Sequence, residues 1–160
     1  MEHEMPHGKS MQSHYVRLLA MTILAFLTMY TLMYAMVNTL GDVLNNFNQV
    51  YMAGLMTAPM VIIELLLMGR MYPSKTLNAA LVVASVVATA AFWMLVRQQG
   101  AIFDRQFLRS MIPHHSAAIL MCEKAAIRDP EILKLCERIV SSQRAEIDQM
   151  KAKLKAMDEN

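Results

Sequence analysis

Three long apolar runs, separated by short polar breaks, dominate the chain up to residue 97. The runs cover residues 18–37, 51–69 and 77–96. Each has close to the length of about 20 helical residues that crosses the hydrocarbon core of a bilayer. The first break contains Gly41, Asp42 and several asparagines, and the second contains Tyr72-Pro73-Ser74. The pattern predicts a membrane domain of three transmembrane helices in residues 17–97, which follows an N-terminal tail of residues 1–16.

Beyond residue 98 the apolar positions recur every three or four residues, which is typical of packed amphipathic helices. We predict helices over residues 102–127 and 130–157. Asp129-Pro130-Glu131 is a strong start signal for the second, because Asp caps a helix and proline suits its first position. The predicted seam of the second helix is Leu133, Cys136, Val140, Gln143, Ile147, Met150, Leu154 and Met157. That of the first is Asp104, Leu108, Met111, His115, Ala118, Cys122 and Ala125, with a kink expected at Pro113.

Residues 98–160 are therefore predicted to form an antiparallel helical hairpin. A hairpin of about sixty residues buries little surface alone, so we expect a homodimer in which two copies complete a four-helix bundle. The expected fold class is all-α: three transmembrane helices followed by this hairpin domain.

Lysine and arginine placement predicts the orientation in the membrane. The first break has neither residue, whereas the second contains Arg70 and Lys75 and the N-terminal tail contains Lys9 and Arg17. By the positive-inside rule, the N-terminus and the second break face the cytoplasm, although three arginines after the third run weigh against this orientation. We expect a bacterial inner-membrane protein that retains its first apolar run and has a periplasmic C-terminal domain.

Composition supports a membrane protein and excludes one class of partner. Hydrophobic residues make up 56% of the chain, mean hydropathy is +0.31 and the net charge is +2. No basic patch with interleaved aromatic residues is present, so nucleic-acid binding has no support. The expected partners are a metal ion, membrane lipid and a second copy of the chain. Seventeen methionines are the compositional outlier.

The candidate chemistry lies in residues 111–122, which combine imidazole and thioether groups on one helix. Met111, His114, His115 and Met121 are joined by Met150 of the second helix as candidate metal ligands. Imidazole and thioether donors suit soft ions, so we expect copper, with Cu(I) preferred and silver as the alternative. The other interpretation is that these histidines are hydrogen-bonded structural residues and the methionines fill the core.

Several neighbouring residues leave alternatives open. Three interpretations stay open for Cys122 and Cys136: a disulfide, soft-metal ligands or inert core residues. Gln143 and Asp104 are candidates for orienting an imidazole from outside the metal shell, or Gln143 sets the helix register. The N-terminal amine with His3 is a possible Cu(II) site in an otherwise solvated tail.

A methionine stripe in the second apolar run recurs every four residues and includes one carboxylate. Its members are Met52, Met56, Met60, Glu64 and Met68. The stripe either packs between helices, with Glu64 hydrogen-bonded to a neighbouring helix, or forms a thioether groove for a soft cation.

The motif Met111-Ile112-Pro113-His114-His115, with Met121, Asp129-Pro130-Glu131 and Gln143-x-x-Glu146-Ile147-x-x-Met150, resembles the domain-of-unknown-function family 305 over residues 102–155. The resemblance implies a ferritin-like helical bundle, mostly bacterial and exported, with some copper- or silver-binding members. It implies Met111, His114, His115, Met121 and Met150 as ligands. The three preceding apolar runs resemble a membrane-anchored subgroup.

These patterns predict a non-enzymatic, membrane-anchored copper- or silver-binding protein that acts in metal buffering, transfer or resistance at the periplasmic face. The main alternative is a metal-free assembly module whose hairpin oligomerises the membrane domain. A di-iron oxidase is disfavoured, because no glutamate in residues 98–160 is followed three positions later by histidine.

Overall fold

The computed structural model describes residues 7–159, with side chains from Ser13 onward, and this range contains no strand. The expectation of an all-α chain is confirmed. The long helices are α1 (His7–Leu32), α2 (Phe47–Leu67), α3 (Lys75–Gln98), α4 (Asp104–Lys124) and α5 (Pro130–Asp158). Short 3-10 turns lie at Met33–Met36, Leu40–Asp42 and Gly69–Met71.

Three helical segments are long enough and apolar enough to cross a membrane, as the hydrophobic pattern predicted. They cover Ser13–Met36, Phe47–Leu67 and Lys75–Gln98. Helix α1 begins at His7, so helical structure extends into the predicted N-terminal tail. Helix α3 ends where Gln99 adopts a left-handed conformation with φ of 52° and its N–H donates to the Leu95 carbonyl, a common way to terminate a helix.

The chain divides into two compact units. Unit 1 comprises the chain up to Thr31 together with Val50–Gly100, and unit 2 comprises Leu32–Gln49 together with Ala101–Asn160. The connector between α1 and α2 therefore groups with α4 and α5, whereas the predicted boundaries placed it in the membrane domain. In unit 1, a small cluster of buried side chains lies near the α2–α3 connector: Leu18, Val61, Leu65 and Tyr72.

Unit 2 has its own core, in which α4 packs against α5. Ile112, Ile119 and Ile147 are at most 5% exposed. Val140, Met150 and Leu154 of the predicted α5 seam pack against them. The isoleucines of α4 lie one position beyond its predicted seam, because α4 also contacts the α1–α2 connector, whose Leu44 joins the core. The buried face of α4 is therefore wider than a two-helix seam requires.

A buried carboxylate ties the α1–α2 connector to both helices of unit 2. Asp42 is 5% exposed and accepts hydrogen bonds from Ser116 Oγ at 2.6 Å and Thr39 Oγ1 at 2.8 Å. Lys151 Nζ of α5 lies 2.5 Å from Asp42 Oδ1. Ser116 Oγ also accepts from the backbone N–H of Asn38 at 3.0 Å. The sequence predicted this connector as a polar break between two apolar runs. In the structure it packs on α4 and forms a third layer of unit 2.

The charge state of Asp42 follows from these contacts. Burial raises the pKa of the Asp42 carboxyl, but hydrogen bonds from Lys151, Ser116 and Thr39 outweigh burial and leave the pKa below its usual value. The carboxylate is therefore ionised at neutral pH and balances the Lys151 ammonium.

Local signals define the ends of α4 and α5. Asp129 caps α5, where its carboxylate accepts from the N–H groups of Glu131 at 2.8 Å and Ile132 at 3.1 Å, and Pro130 occupies the first turn as predicted. Helix α4 is continuous through Pro113. Arg105 near the start of α4 pairs with Asp158 at the end of α5.

Candidate metal site

The packing of α4 on α5 creates a cavity of about 330 Å³. Met111 and His115 line it from α4, and Glu146 and Met150 line it from α5. Each pair is separated by four residues, which places both members on one face of their helix. Three of the five predicted ligands, Met111, His115 and Met150, therefore share one cavity.

The His115 ring is held on both sides. It is 7% exposed, its Nδ1 lies 3.0 Å from the Met111 carbonyl oxygen and its Nε2 lies 2.7 Å from Glu146 Oε2. Because a carbonyl oxygen can only accept, Nδ1 carries a proton and donates to it. This bond orients the ring so that Nε2 meets the carboxylate of α5.

Glu146 is itself positioned by its own helix. Ser142 Oγ donates to Glu146 Oε1 at 2.6 Å. This hydrogen bond, followed by that of His115, holds the pKa of the Glu146 carboxyl below its usual value, while desolvation opposes them only weakly. The ionised Glu146 carboxylate therefore lies 2.7 Å from Nε2, the ring nitrogen that the Met111 carbonyl leaves for other partners. A metal ion bound at Nε2 would replace this contact with Glu146.

The two remaining predicted ligands lie outside the cavity. His114 is exposed, and its ring centroid is 6.0 Å from that of His115. Met121 is 53% exposed. The structure thus separates the three ligands that line the cavity from an exposed pair, and the part of His114 and Met121 in metal binding stays a prediction.

The donor types in the cavity restrict the metals it could hold. Within the described residues, no three His, Cys, Asp or Glu side chains are grouped as a metal site would require. Any site here must therefore use the thioethers of Met111 and Met150 beside the imidazole. Two sulfur donors and one nitrogen suit Cu(I) or Ag(I), whereas Mg²⁺ and Ca²⁺ require oxygen ligands.

The structure resolves the alternatives for the two cysteines. Cys122 and Cys136 form a disulfide that joins α4 to α5, with their Cα atoms 5.3 Å apart. Their sulfur atoms are therefore bonded to each other and are not soft-metal ligands.

The prediction that Gln143 orients an imidazole is wrong. Both nitrogens of His115 are bonded to other groups, and Gln143 Oε1 is buried without a hydrogen-bond partner within residues 13–159. Glu146, one helical turn further along α5, performs this task. The Ser142-x-x-x-Glu146 spacing was the signal available in the sequence, because residues four apart meet on a helix. Asp104, the other candidate, is exposed at the start of α4.

The methionine stripe of α2 flanks the buried face of that helix. The buried residues are Ala53, Gly54, Thr57, Val61 and Leu65, most of them one position after a stripe member. Glu64 accepts a hydrogen bond from Tyr72 Oη at 3.1 Å, as the hydrogen-bonded interpretation expected, although its partner lies in the α2–α3 connector. Burial raises the pKa of the Tyr72 hydroxyl, and the Glu64 contact adds to this effect.

The N-terminal candidate lies outside the described residues, since His3 precedes the first described position. Residues 3–7 also spell His-Glu-Met-Pro-His, which matches the zinc-protease pattern of two histidines four positions apart with a glutamate after the first. That pattern needs both histidines on one helix, and helix is described only from His7 onward.

Two comparisons with known proteins found a match, one over half of this chain and the other over most of it. The family described as Domain of unknown function (DUF305) matches residues 75–154, from the first residue of α3 into α5. Uncharacterized protein L153 of Acanthamoeba polyphaga mimivirus is 32% identical over 136 residues, which cover 83% of this chain and 88% of that protein. No solved structure matches the chain. The extent of these two matches shows that the chain belongs to the DUF305 family.

Proposed function

We propose that this protein is a non-enzymatic, membrane-anchored binder of a soft monovalent metal ion, with Cu(I) as the preferred ion and Ag(I) as the alternative. The observation that carries the proposal is the cavity in which Met111, His115 and Met150 meet beside Glu146. Thioether and imidazole groups together favour soft ions. The buried His115 ring, oriented by a backbone carbonyl, is prepared to offer Nε2 to an ion.

The proposed role is to buffer or transfer the ion, and so to support metal resistance, at the exported face of a bacterial inner membrane. The α1–α2 connector and residues 101–160 belong to one unit, so they lie on the same side of the membrane. This arrangement requires α2 and α3 both to cross. The Cys122–Cys136 disulfide favours an oxidising compartment such as the periplasm. Alkaline-phosphatase fusions after residue 160 should be active, and fusions in the α2–α3 connector should be inactive.

The experiment that tests the metal site is a Cu(I) titration of the full-length protein in detergent, in competition with a chromophoric Cu(I) chelator. Met111→Leu and Met150→Leu remove a thioether while nearly preserving side-chain volume. Each should weaken Cu(I) binding by about ten-fold or more, the order of loss that follows perturbation of a metal site. X-ray absorption should show fewer sulfur neighbours around copper in each variant.

Met157→Leu is the matched control, because Met157 lies near the end of α5 and does not line the cavity. It should leave the affinity unchanged. His115→Asn and His114→Asn separate the buried ring from the exposed one, and we expect the larger loss from the former. Unchanged affinity in both Met111→Leu and Met150→Leu would refute the site.

A second candidate is an assembly module in which the hairpin dimerises the membrane domain without metal. It is favoured by apolar side chains on α5 that remain 44–48% exposed, namely Ile132, Leu133 and Leu135. Under this alternative, metal-free protein is dimeric in nanodiscs and Leu133→Glu makes it monomeric. Cu(I) binding in a monomeric Leu133→Glu variant would separate the two functions, since the cavity is complete within one chain.

A further inference from the structure

Unit 1 contains a second and larger cavity, of about 650 Å³, among α1, α2 and α3. Its walls run from Tyr15 to Leu27 on α1, from Gly54 to Val61 on α2 and from Leu77 to Phe92 on α3. Four hydroxyl-bearing side chains interrupt an otherwise apolar lining, and one of them, Thr22, donates to the Leu18 carbonyl of its own helix. An occupant of this cavity must therefore be apolar along most of its length.

The length of the cavity is comparable to that of a lipid acyl chain. The α1 wall from Tyr15 to Leu27 spans about 18 Å at 1.5 Å per residue. This length is comparable to one leaflet, which is about half of the ~30 Å hydrocarbon core. A single acyl chain matches this length.

Basic residues accumulate at the end of the cavity near Tyr15. Tyr15 Oη donates to Asn78 Oδ1 at 2.9 Å and accepts from the backbone N–H of Ser74 at 3.3 Å, so the α2–α3 connector lies at this end. Arg70 lies in the connector, Lys75 is the first residue of α3, and residues 68–75 include no acidic residue. Both basic side chains belong to exposed residues, and neither has an ion-pair partner within the side chains described from Ser13 onward.

An aromatic ring, that of Phe92, lines the opposite end of the cavity. Phe92 packs against Gly54 so closely that a Cβ on residue 54 would lie 2.5 Å from the ring. We propose that unit 1 binds one anionic phospholipid, whose acyl chain occupies this cavity and whose phosphate pairs with Arg70 and Lys75. The proposal is independent of the metal site, which lies wholly in unit 2.

The test uses full-length protein in phosphatidylcholine nanodiscs with a trace of phosphatidylglycerol that carries a photoreactive diazirine in one acyl chain. Cross-linked peptides are identified by mass spectrometry. We expect labelling on the cavity-facing positions of α1 and α3. Ala84→Phe places a ring in the cavity and should reduce this labelling to the background of bulk lipid. Val83→Phe is the matched control, because Val83 is 63% exposed and does not line the cavity.

Further variants test the cavity and the headgroup contacts separately. Ala88→Leu is a milder filling variant that should reduce labelling even if Ala84→Phe disturbs folding, which the helical circular dichroism signal monitors. Arg70→Gln and Lys75→Gln should each lower the preference for phosphatidylglycerol over a phosphatidylcholine probe, by roughly five-fold for each basic residue. Equal labelling of the Val83 and Ala84 faces, equal labelling by the two headgroups, or a cross-link from the cavity to a second copy of the chain would overturn the proposal.

Discussion

The two units differ in how side chains distant in sequence contact one another. In unit 2 they meet through charges, hydrogen bonds and a disulfide. In unit 1 the long-range polar contacts of Tyr15 and Tyr51 lie near the helix ends. Asp42 reaches Lys151 and Ser116, and Cys122 bonds to Cys136. In unit 1, Tyr15 contacts Asn78 and Tyr51 contacts Gly100, at the margins of the apolar segments. Between these margins, Leu24 and Val87 are more than 60% exposed.

This difference indicates which surroundings each unit suits, hydrocarbon or water. Exposed leucine and valine are favourable in hydrocarbon, and helices can satisfy their backbone polar groups there without help from side chains. The two long helices of unit 2 are amphipathic, with charged residues on their outer faces, as in a water-exposed domain. Its packing therefore depends on particular side-chain partners, and substitutions should damage the two units by different routes.

Removal of the disulfide should have the largest effect and should act on unit 2 alone. The bond joins cysteines 14 positions apart, and closing a loop of about 15 residues stabilises a fold by roughly 3 kcal/mol. Cys122→Ala/Cys136→Ala should raise amide hydrogen exchange in α4 and α5 of the full-length protein by a corresponding free energy. Exchange in α3 should be unchanged; a loss of protection in both units would contradict the division.

The same substitution should have very different effects in the two units. Ala90 and Ala152 are both exposed alanines on long helices, in α3 and α5 respectively. Ala90→Lys should hinder membrane insertion by about 2.5 kcal/mol, because a charge near the middle of a transmembrane helix is costly. Ala152→Lys should change stability by less than about 0.5 kcal/mol, as is usual for exposed positions in water. An insertion assay with glycosylation reporters measures the first, and hydrogen exchange measures the second.

Asp42→Asn should loosen the α1–α2 connector from α4 and α5. The change leaves Lys151 without its buried partner, and we expect a loss of about 2 kcal/mol, less than for a fully buried pair because Lys151 is partly exposed. Hydrogen exchange should increase first in residues 38–46. Leu40→Ala changes a side chain of the same connector that is 92% exposed, without touching the Asp42 ion pair, and serves as the comparison. If Asp42→Asn protected these amides as well as the native residue does, the ion pair would not hold the connector.

Acid should produce a weaker version of the same effect. The pKa of Asp42 is lower in the folded protein than in the unfolded chain. Its contribution to stability is therefore complete above the unfolded value near 3.8 and is lost as pH falls through the lower, folded value. Hydrogen exchange of residues 38–46 should accelerate below about pH 4 relative to the intrinsic rate, and Asp42→Asn should abolish this component.

Asp129→Ala should give the smallest effect, because it removes a single helix cap. The loss of its two backbone hydrogen bonds should cost about 1 kcal/mol, localised to the first turn of α5. Asp129→Asn, which can also cap a helix, should retain most of the stability. Equal losses in both variants would indicate a role for the Asp129 charge and not for its cap.

Local and periodic features of this chain could be predicted because they depend on neighbours in sequence. The three apolar segments, the all-helical class and the Asp129-Pro130 start of α5 were all recognisable from runs of a few residues. The hydrogen-bond partner of His115 could not be predicted, because one turn of α5 separates Gln143 from Glu146 and heptad spacing alone does not choose between them. The role of Asp42 was also hidden, since its partners Ser116 and Lys151 lie on helices that follow two further apolar segments.

The residue pattern alone was enough to predict which segments are helical, which of them are apolar enough for a bilayer, and that imidazole and thioether groups accompany one another on α4. The folded chain was needed to show that Met111, His115 and Met150 share a cavity while His114 and Met121 do not, and that the first connector packs with α4 and α5. Periodicity specifies the face of one helix, whereas a site requires the rotation and register of two helices at once, and core packing sets both.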